Sequence, residues 1–429
     1  MIILLFVVFL CLLALTVPVA FAIGMTSLVI LMVMGNIPLI VIVQRMFVII
    51  DSYSLLAVPF FMLAGEFMEG GQITQKLVSF ASGLVGRLRG GLGMVSVLSS
   101  MIFAGISGSA IADTTAIGSI LIPSMIQKGY KKGFTACLIA SAGAIGPIIP
   151  PSVLMIIYGS ITNVSIASMF LGGFLPGIMV GLGLMVIVYV YSWLPGFEAM
   201  RKGESVSLGE IGRRFIRAIW ALFMPVIIIG GIITGIFTAT EAGAIAACYA
   251  MLVGFISGKL RISMLMSVFY KASLKTAIIL IIIANAGAFG WILARLRFAD
   301  TAASMLTNFT SSSLVAIVLV IFFLLILGCF MDVIAATIIF APIIFEIGHL
   351  YGFDQIHFAV VVIATLLVGG VTPPYGILLF IGCNIAQIGI EDASRFVIPF
   401  IGMMVLVLLL LAYIPEIVLF IPNLMAKGG

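Results

Sequence analysis

From Met1 to Gln44 the chain carries no charged side chain, and apolar runs of about 20 residues recur along most of its length. Hydrocarbon is the solvent that suits such runs, and it imposes one condition: every backbone N–H and C=O must be satisfied inside the protein. Helices meet that condition segment by segment, so the chain is read as an all-α polytopic membrane protein. Its 63% hydrophobic and 8% charged residues exclude an ordinary soluble domain. Residues 2–21 lack the basic start of a signal peptide and the apolar run resumes at Ile23, which makes them the first span. The cysteines Cys11, Cys137, Cys248, Cys329 and Cys383 are dispersed and form no C-x-x-C, so neither disulfides nor a transition-metal site is expected. A net charge of +5 marks cytoplasmic loops here and not a nucleic-acid surface.

Charged breaks divide the chain. Spans at 2–21 and 23–43 are followed by a short interfacial piece and a span at 55–69. Residues 91–126 are Gly- and Ser-rich and interrupted by "GISGSAIADTT", the pattern of a hairpin that enters the membrane and returns. Residues 134–162 are broken by Pro147, Pro150 and Pro151, which stop one helix and suit the first turn of another. A span at 166–194 completes a first repeat, 1–195, and a basic connector occupies 196–217. The second repeat, 218–429, follows the same order: spans at 219–237 and 242–256, an amphipathic basic arm at 259–275 and a span at 276–293. Then come a hairpin at 314–347 interrupted at "GCFMD", a broken helix at 358–388 interrupted at "GGVTPPYG", and a last span at 396–421.

Adding 223 to Gly105, Gly146, Pro150, Pro151 and Gly159 gives Gly328, Gly369, Pro373, Pro374 and Gly382. Pro123 pairs with Pro342 at an offset of 219, which implies that one hairpin is four residues shorter. A hairpin that returns to its own side leaves five crossings per half, and an odd number inverts the second half. With both termini outside, sixteen basic residues fall on the inner side (Lys76, Arg87, Arg89, Lys128, Lys131, Lys132, Arg201, Lys202, Arg213, Arg214, Arg217, Lys259, Arg261, Lys271, Lys275 and Arg395). Only Arg45, Arg295, Arg297 and Lys427 fall outside, as the positive-inside rule requires.

Hydroxyls and a carboxylate inside an apolar hairpin need an explanation, because an Asp at mid-membrane costs roughly 2.5 to 3.5 kcal/mol on insertion scales. Unwound backbone at that depth is tolerated where it lines a cavity, and the carbonyls it frees are hard ligands for a small alkali cation, while half-helix N-termini offer N–H groups to an anion. Ser107, Ser109 and Asp113 are expected to face the break at Pro150 to Ser152. Gly328 and Asp332 are expected to face Thr372 to Tyr375 and Asn384. These are the candidate sodium-site residues; Ser152, Tyr375 and Arg295 are the candidate substrate contacts, Arg295 through a substrate carboxylate. Helix packing is the plainer reading of the serines, capping that of Asp113 and Asp332, and snorkelling that of Arg295. His349 and His357 are read as solvated residues of an outer loop.

The segments "GISGSAIADTTAIGSILIPSM", "GPIIPPS", "GCFMDVIAATIIFAPI" and "GGVTPPYGILLF" resemble, in order and over essentially the whole chain, the large membrane subunit of TRAP (tripartite ATP-independent periplasmic) transporters. That resemblance implies an elevator-type importer in the bacterial inner membrane, coupled to sodium and needing no other cofactor. It implies a small carboxylate as substrate, such as sialic acid or a C4-dicarboxylate. It also implies two partners, a small four-helix membrane subunit, expected as a separate chain, and a soluble periplasmic binding protein. A stand-alone sodium/anion symporter or exchanger of the same fold group is the alternative. An intramembrane serine protease is remote, since "GISGS" is not G-x-S-x-G and both histidines lie far along the chain.

Overall fold

A computed structural model of the 429-residue chain describes residues 1–201, 203 and 206–426. Lys202 and Lys427, counted above among the loop cations, lie outside the described residues. The described residues are almost entirely helical, with no strand. The first half comprises α1 (Ile2–Ala14), α2 (Val19–Met34), α3 (Ile40–Ile50), α4 (Ala57–Gly70), α5 (Ile73–Val85), the hairpin α6 (Gly91–Ser107) and α7 (Ala110–Gln127), the broken helix α8 (Lys132–Gly143) and α9 (Val153–Thr162), and α10 (Ile166–Tyr191). The second comprises α11 (Leu208–Ile233), α12 (Ala239–Ile256), α13 (Ile262–Arg295), α14 (Phe298–Phe309), the hairpin α15 (Ser313–Phe330) and α16 (Val333–Leu350), the broken helix α17 (Gln355–Gly369) and α18 (Ile377–Ala386), α19 (Ile390–Tyr413) and α20 (Pro415–Ala426). By length and composition, eight described helices can cross a membrane, or nine if α3 and the segment Tyr53–Gly70, bent by 64°, form one span.

Backbone conformation exposes the repeat more fully than the glycines and prolines do. Left-handed residues recur in pairs where one element gives way to the next: Thr16 with Gly235, Gly35 with Gly258, Gln72 with Arg297, Gly129 with Gly352 and Asn163 with Gln387. Gln72 and Arg297 are the N-caps of α5 and α14, while Asn163 and Gln387 end α9 and α18. Each hairpin is laced at its base by a tyrosine beyond its second helix. Tyr130 donates to Gly90 O at 3.0 Å, and Tyr351 donates to Thr310 O at 2.7 Å.

The halves are inverted, as α19 demonstrates. Near its start, Gly133 at the foot of α8 packs against Phe396 and the carbonyl of Asp392. Near its end, Leu411 O lies 2.8 Å from His357 Nε2 at the foot of α17. The rise of α19 from Asp392 to Leu411 separates those points by about 28 Å, so the two hairpin bases lie at opposite ends of the molecule. α10 runs the other way: Gly172 meets Ile356 and Val418, and Tyr191 packs on Phe134 with ring centroids 5.0 Å apart.

Several sequence-derived boundaries move, for identifiable reasons. The expected spans at 2–21 and 23–43 become α1, α2 and α3, because Thr16 turns left-handed before Pro18 and Gly35 ends α2 in the same conformation. The arm at 259–275 and the span at 276–293 form one helix, α13, since nothing between them breaks a helix. Lys275 on that helix is paired with the buried Glu66 of α4. The connector at 196–217 ends early: Ser207 caps α11, so Arg213, Arg214 and Arg217 are helical. The last span divides at Ile414, before Pro415. The hairpins do not differ by four residues, because α7 and α16 each contain 18; Pro123 and Pro342 instead sit about one turn apart along equivalent helices. His357 is buried and bonded to Leu411 O, so it is not a solvated loop residue, whereas His349 is exposed in the last turn of α16.

Candidate functional site

The connection between α6 and α7 consists of Gly108 and Ser109. Gly108 adopts φ +61°, and an added Cβ would run into the carbonyl of Pro151; a side chain is therefore excluded by conformation and by space. Gly108 O accepts from Val153 N–H at 3.3 Å, which ties the hairpin tip to the break between α8 and α9. Ser109 caps α7 by accepting from Ala112 N–H at 3.4 Å, and Ser152 caps α9 by accepting from Met155 N–H at 3.2 Å. In the second half Asp332 caps α16, accepting from Ile334 N–H at 3.0 Å and Ala335 N–H at 3.2 Å. Gly376 is the N-cap of α18.

One cleft collects all of these ends. Its walls include Ser109, Ala110, Val153, Asp332, Val333 and Ile377, so the first turns of α7, α9, α16 and α18 meet around the same space. Each contributes unbonded backbone N–H groups and roughly half a positive charge. No basic side chain lines the cleft among the described residues.

Asp113 stands one turn into α7 and is completely buried. Ser107 donates its hydroxyl to Asp113 Oδ1, and Ser109 N–H donates to Ser107 Oγ at 3.2 Å. The other carboxylate oxygen, Oδ2, has no hydrogen-bond partner, and a Cβ added to Gly146 would collide with it. This buried oxygen therefore points at the break. The carbonyls of Gly146, Pro147, Pro150 and Pro151 accept no backbone N–H among the described residues. Buried acceptors left in this way are uncommon, and with the carboxylate they supply oxygens a small hard cation can use.

In the second half Gly328 packs backbone to backbone against Gly369. Thr372 directs its hydroxyl to Val368 O at 2.9 Å. Tyr375 is 69% exposed, with its ring centroid 6.0 Å from that of Phe330. Ser107, Ser109, Asp113, Pro150 and Ser152 thus come together, and Asp332 faces them across the cleft. Asn384 does not join them; it is exposed on α18, away from the residues that line the cleft. Arg295 is also absent from the cleft, exposed in the last turn of α13. Gly108 and Gly146 are contributors that the candidate set omitted, although the 223-residue offset had already singled out Gly146.

Residues 6–417 match the family described as Tripartite ATP-independent periplasmic transporter, DctM component. The chain is 36% identical to the isethionate TRAP transporter permease protein DctMQ of Oleidesulfovibrio alaskensis, over 94% of this chain and 64% of that protein, so it spans less than two thirds of that relative. It is 35% identical to the C4-dicarboxylate TRAP transporter large permease protein DctM of Pseudomonas aeruginosa, over 88% of each. It is 34% identical to the sialic acid TRAP transporter large permease protein SiaM of Vibrio cholerae, over 96% of each. Among solved structures, the crystallographic YdaH transporter of Alcanivorax borkumensis superposes with a TM-score of 0.63, covering 87% of this chain and 86% of that one at 15% identity, a likeness of fold alone.

Proposed function

The chain belongs to the DctM component family of the tripartite ATP-independent periplasmic transporters, and on that premise we propose that it imports a small organic acid together with sodium ions. The observation that carries the reading is the convergence of four helix N-termini on one cleft beside a buried carboxylate and unbonded carbonyls. N-termini attract an anion without needing a basic side chain, and the oxygens beside them attract a cation. Sodium at Asp113 neutralises the buried charge, so cation and anion binding reinforce each other.

The relatives carry C4-dicarboxylate, sialic acid and isethionate in their names, and the substrate proposed here is a carboxylate or related acid of that size. A periplasmic binding protein delivers it, and a small membrane subunit braces the spans α1 to α4 and α11 to α13. The two hairpins and two broken helices move together against that frame, like an elevator. The protein resides in the bacterial inner membrane with both termini on the periplasmic face, the orientation that the basic residues favour.

Uptake of labelled substrate into proteoliposomes containing both membrane subunits tests this reading. It requires an inward sodium gradient and saturates with the added binding protein. Strong uptake by this chain alone favours a stand-alone symporter, and uptake indifferent to sodium removes the coupling.

A further inference from the structure

A second concentration of charge lies away from the cleft, where α5 packs on α11 and the turn between α12 and α13 closes over them. Lys76, Arg214, Arg217 and Lys259 line one cavity there. Arg214 is engaged: its Nε lies 3.3 Å from Glu210 Oε1, and its Nη1 donates to Ser79 O at 3.2 Å. Glu210 is in turn engaged with Arg213 at 3.1 Å. Lys76, Arg217 and Lys259 have no acidic partner among the described residues. Burial and then the neighbouring charge of Lys259 push the Lys76 ammonium below the usual lysine range. Three cations gathered without an anion repel one another, and a bound anion relieves that repulsion.

The cavity does not end in polar surface. Lys76 and Arg217 also border an adjoining apolar hollow walled by Ile216, Trp220, Val253 and Ile256. Trp220 is 54% exposed on α11, and Ile216 and Phe223 on the same helix are also exposed. A tryptophan just inside the basic end of a spanning helix is characteristic of the membrane interface. A soluble phosphate compound would use the basic cavity and leave the apolar hollow empty. A molecule with a phosphate at one end and a hydrocarbon chain at the other fills both.

We infer that this junction is a binding site for an anionic phospholipid, with the phosphate among Lys76, Arg217 and Lys259 and an acyl chain along Trp220 and Ile256. Basic hollows between spanning helices are suited to acidic headgroups. The site also has a mechanical consequence. α5 leads directly into the hairpin helix α6, so a lipid bridging α5 to α11 and α12 fixes the base from which that hairpin emerges.

The test is the shift in melting temperature of the delipidated full-length chain on titration with phosphatidylglycerol, phosphatidylcholine or inorganic phosphate. Phosphatidylglycerol raises the melting temperature and the other two do not. The combined variant Lys76→Gln, Arg217→Gln, Lys259→Gln loses about a hundredfold in apparent affinity, at about fivefold per cation removed, while Lys271→Gln, an exposed charge lining neither cavity, matches the parent. If the combined variant is unfolded by circular dichroism, the exposed single variants Arg217→Gln and Lys259→Gln are read instead, each expected to lose about fivefold. Undiminished affinity in the variants overturns the site. Equal stabilisation by inorganic phosphate overturns the lipid assignment in favour of a soluble anion. Equal stabilisation by phosphatidylcholine overturns the role of the cations.

Discussion

The two hairpin tips occupy equivalent places and are built differently. In the first half every residue from Gly143 to Val153 is buried, and the carboxylate of Asp113 lies inside with one oxygen held by Ser107 and the other open toward Gly146. In the second half Pro374 and Tyr375 are exposed, and Asp332 spends an oxygen on capping α16. The two aspartates are not counterparts. Asp332 stands where the repeat places Ser109, and the position equivalent to Asp113 is Ala336. The difference teaches that one architecture can carry two tasks. The first tip is shut around an unpartnered carboxylate oxygen and is the proposed cation site, while the second, open at its mouth, is the proposed path of the substrate.

The largest effect that separates the tips is expected at Asp113. Asp113→Asn keeps the shape and removes the charge, and sodium-driven uptake should fall about a hundredfold, since contacts to a charged group contribute roughly 1.5 to 3 kcal/mol and neighbouring oxygens lose their shared cation. Asp332→Asn should retain uptake to within about threefold, because Asn caps a helix nearly as well as Asp. If the two variants lose activity equally, the division of labour is wrong.

The next effect contrasts two glycines. In Gly146→Ala the new methyl group enters the space of Asp113 Oδ2, so half-saturation by sodium should rise about tenfold with the melting temperature little changed. In Gly369→Ala the methyl group meets the backbone of Gly328 instead, and overpacking of about 1 to 3 kcal/mol should appear as a lower melting temperature at unaltered sodium affinity. The combination of a sodium titration and a melting curve for each variant distinguishes these outcomes.

Asp332→Ala comes third. Loss of the cap should destabilise the protein by about 1 kcal/mol, and Asp332→Asn should restore most of it. Tyr375→Ala is expected to be smallest: its ring is largely in solvent, so stability should stay within about 0.5 kcal/mol, and any change should fall on the substrate KM and not on sodium activation.

Much of this fold was written in residues whose chemistry is local. Double prolines end helices wherever they occur, Ser and Asp before an apolar run cap them, and the hairpins and breaks were therefore legible at 91–126, 134–162, 314–347 and 358–388. The short amphipathic helices were not recognised. α14 lies between the expected span at 276–293 and the expected hairpin at 314–347, where the sequence reading assigns no element, although Phe298, Ala302, Met305 and Phe309 recur at helical spacing. α5 was missed for the same reason, and both helices begin at a left-handed residue, Gln72 or Arg297, that carries no glycine signal. Arg295 and Asn384 drew attention because they are polar in apolar surroundings, but polarity does not say which way a helix face turns. Only packing places them outside the cleft. His357 shows the converse, since its burial follows from a carbonyl 54 residues away in sequence.

The central claim is that the first tip, through Asp113, binds sodium, and equilibrium binding tests it without transport. Melting temperatures of the purified chain are compared in sodium chloride and in choline chloride at equal ionic strength, for the parent, Asp113→Asn and Asp332→Asn. A ligand at a hundred times its dissociation constant stabilises the folded state by about 2.7 kcal/mol, a shift large enough to read. The account predicts that sodium stabilises the parent and Asp332→Asn alike and leaves Asp113→Asn unchanged. Full stabilisation of Asp113→Asn by sodium, with its loss in Asp332→Asn, would contradict it.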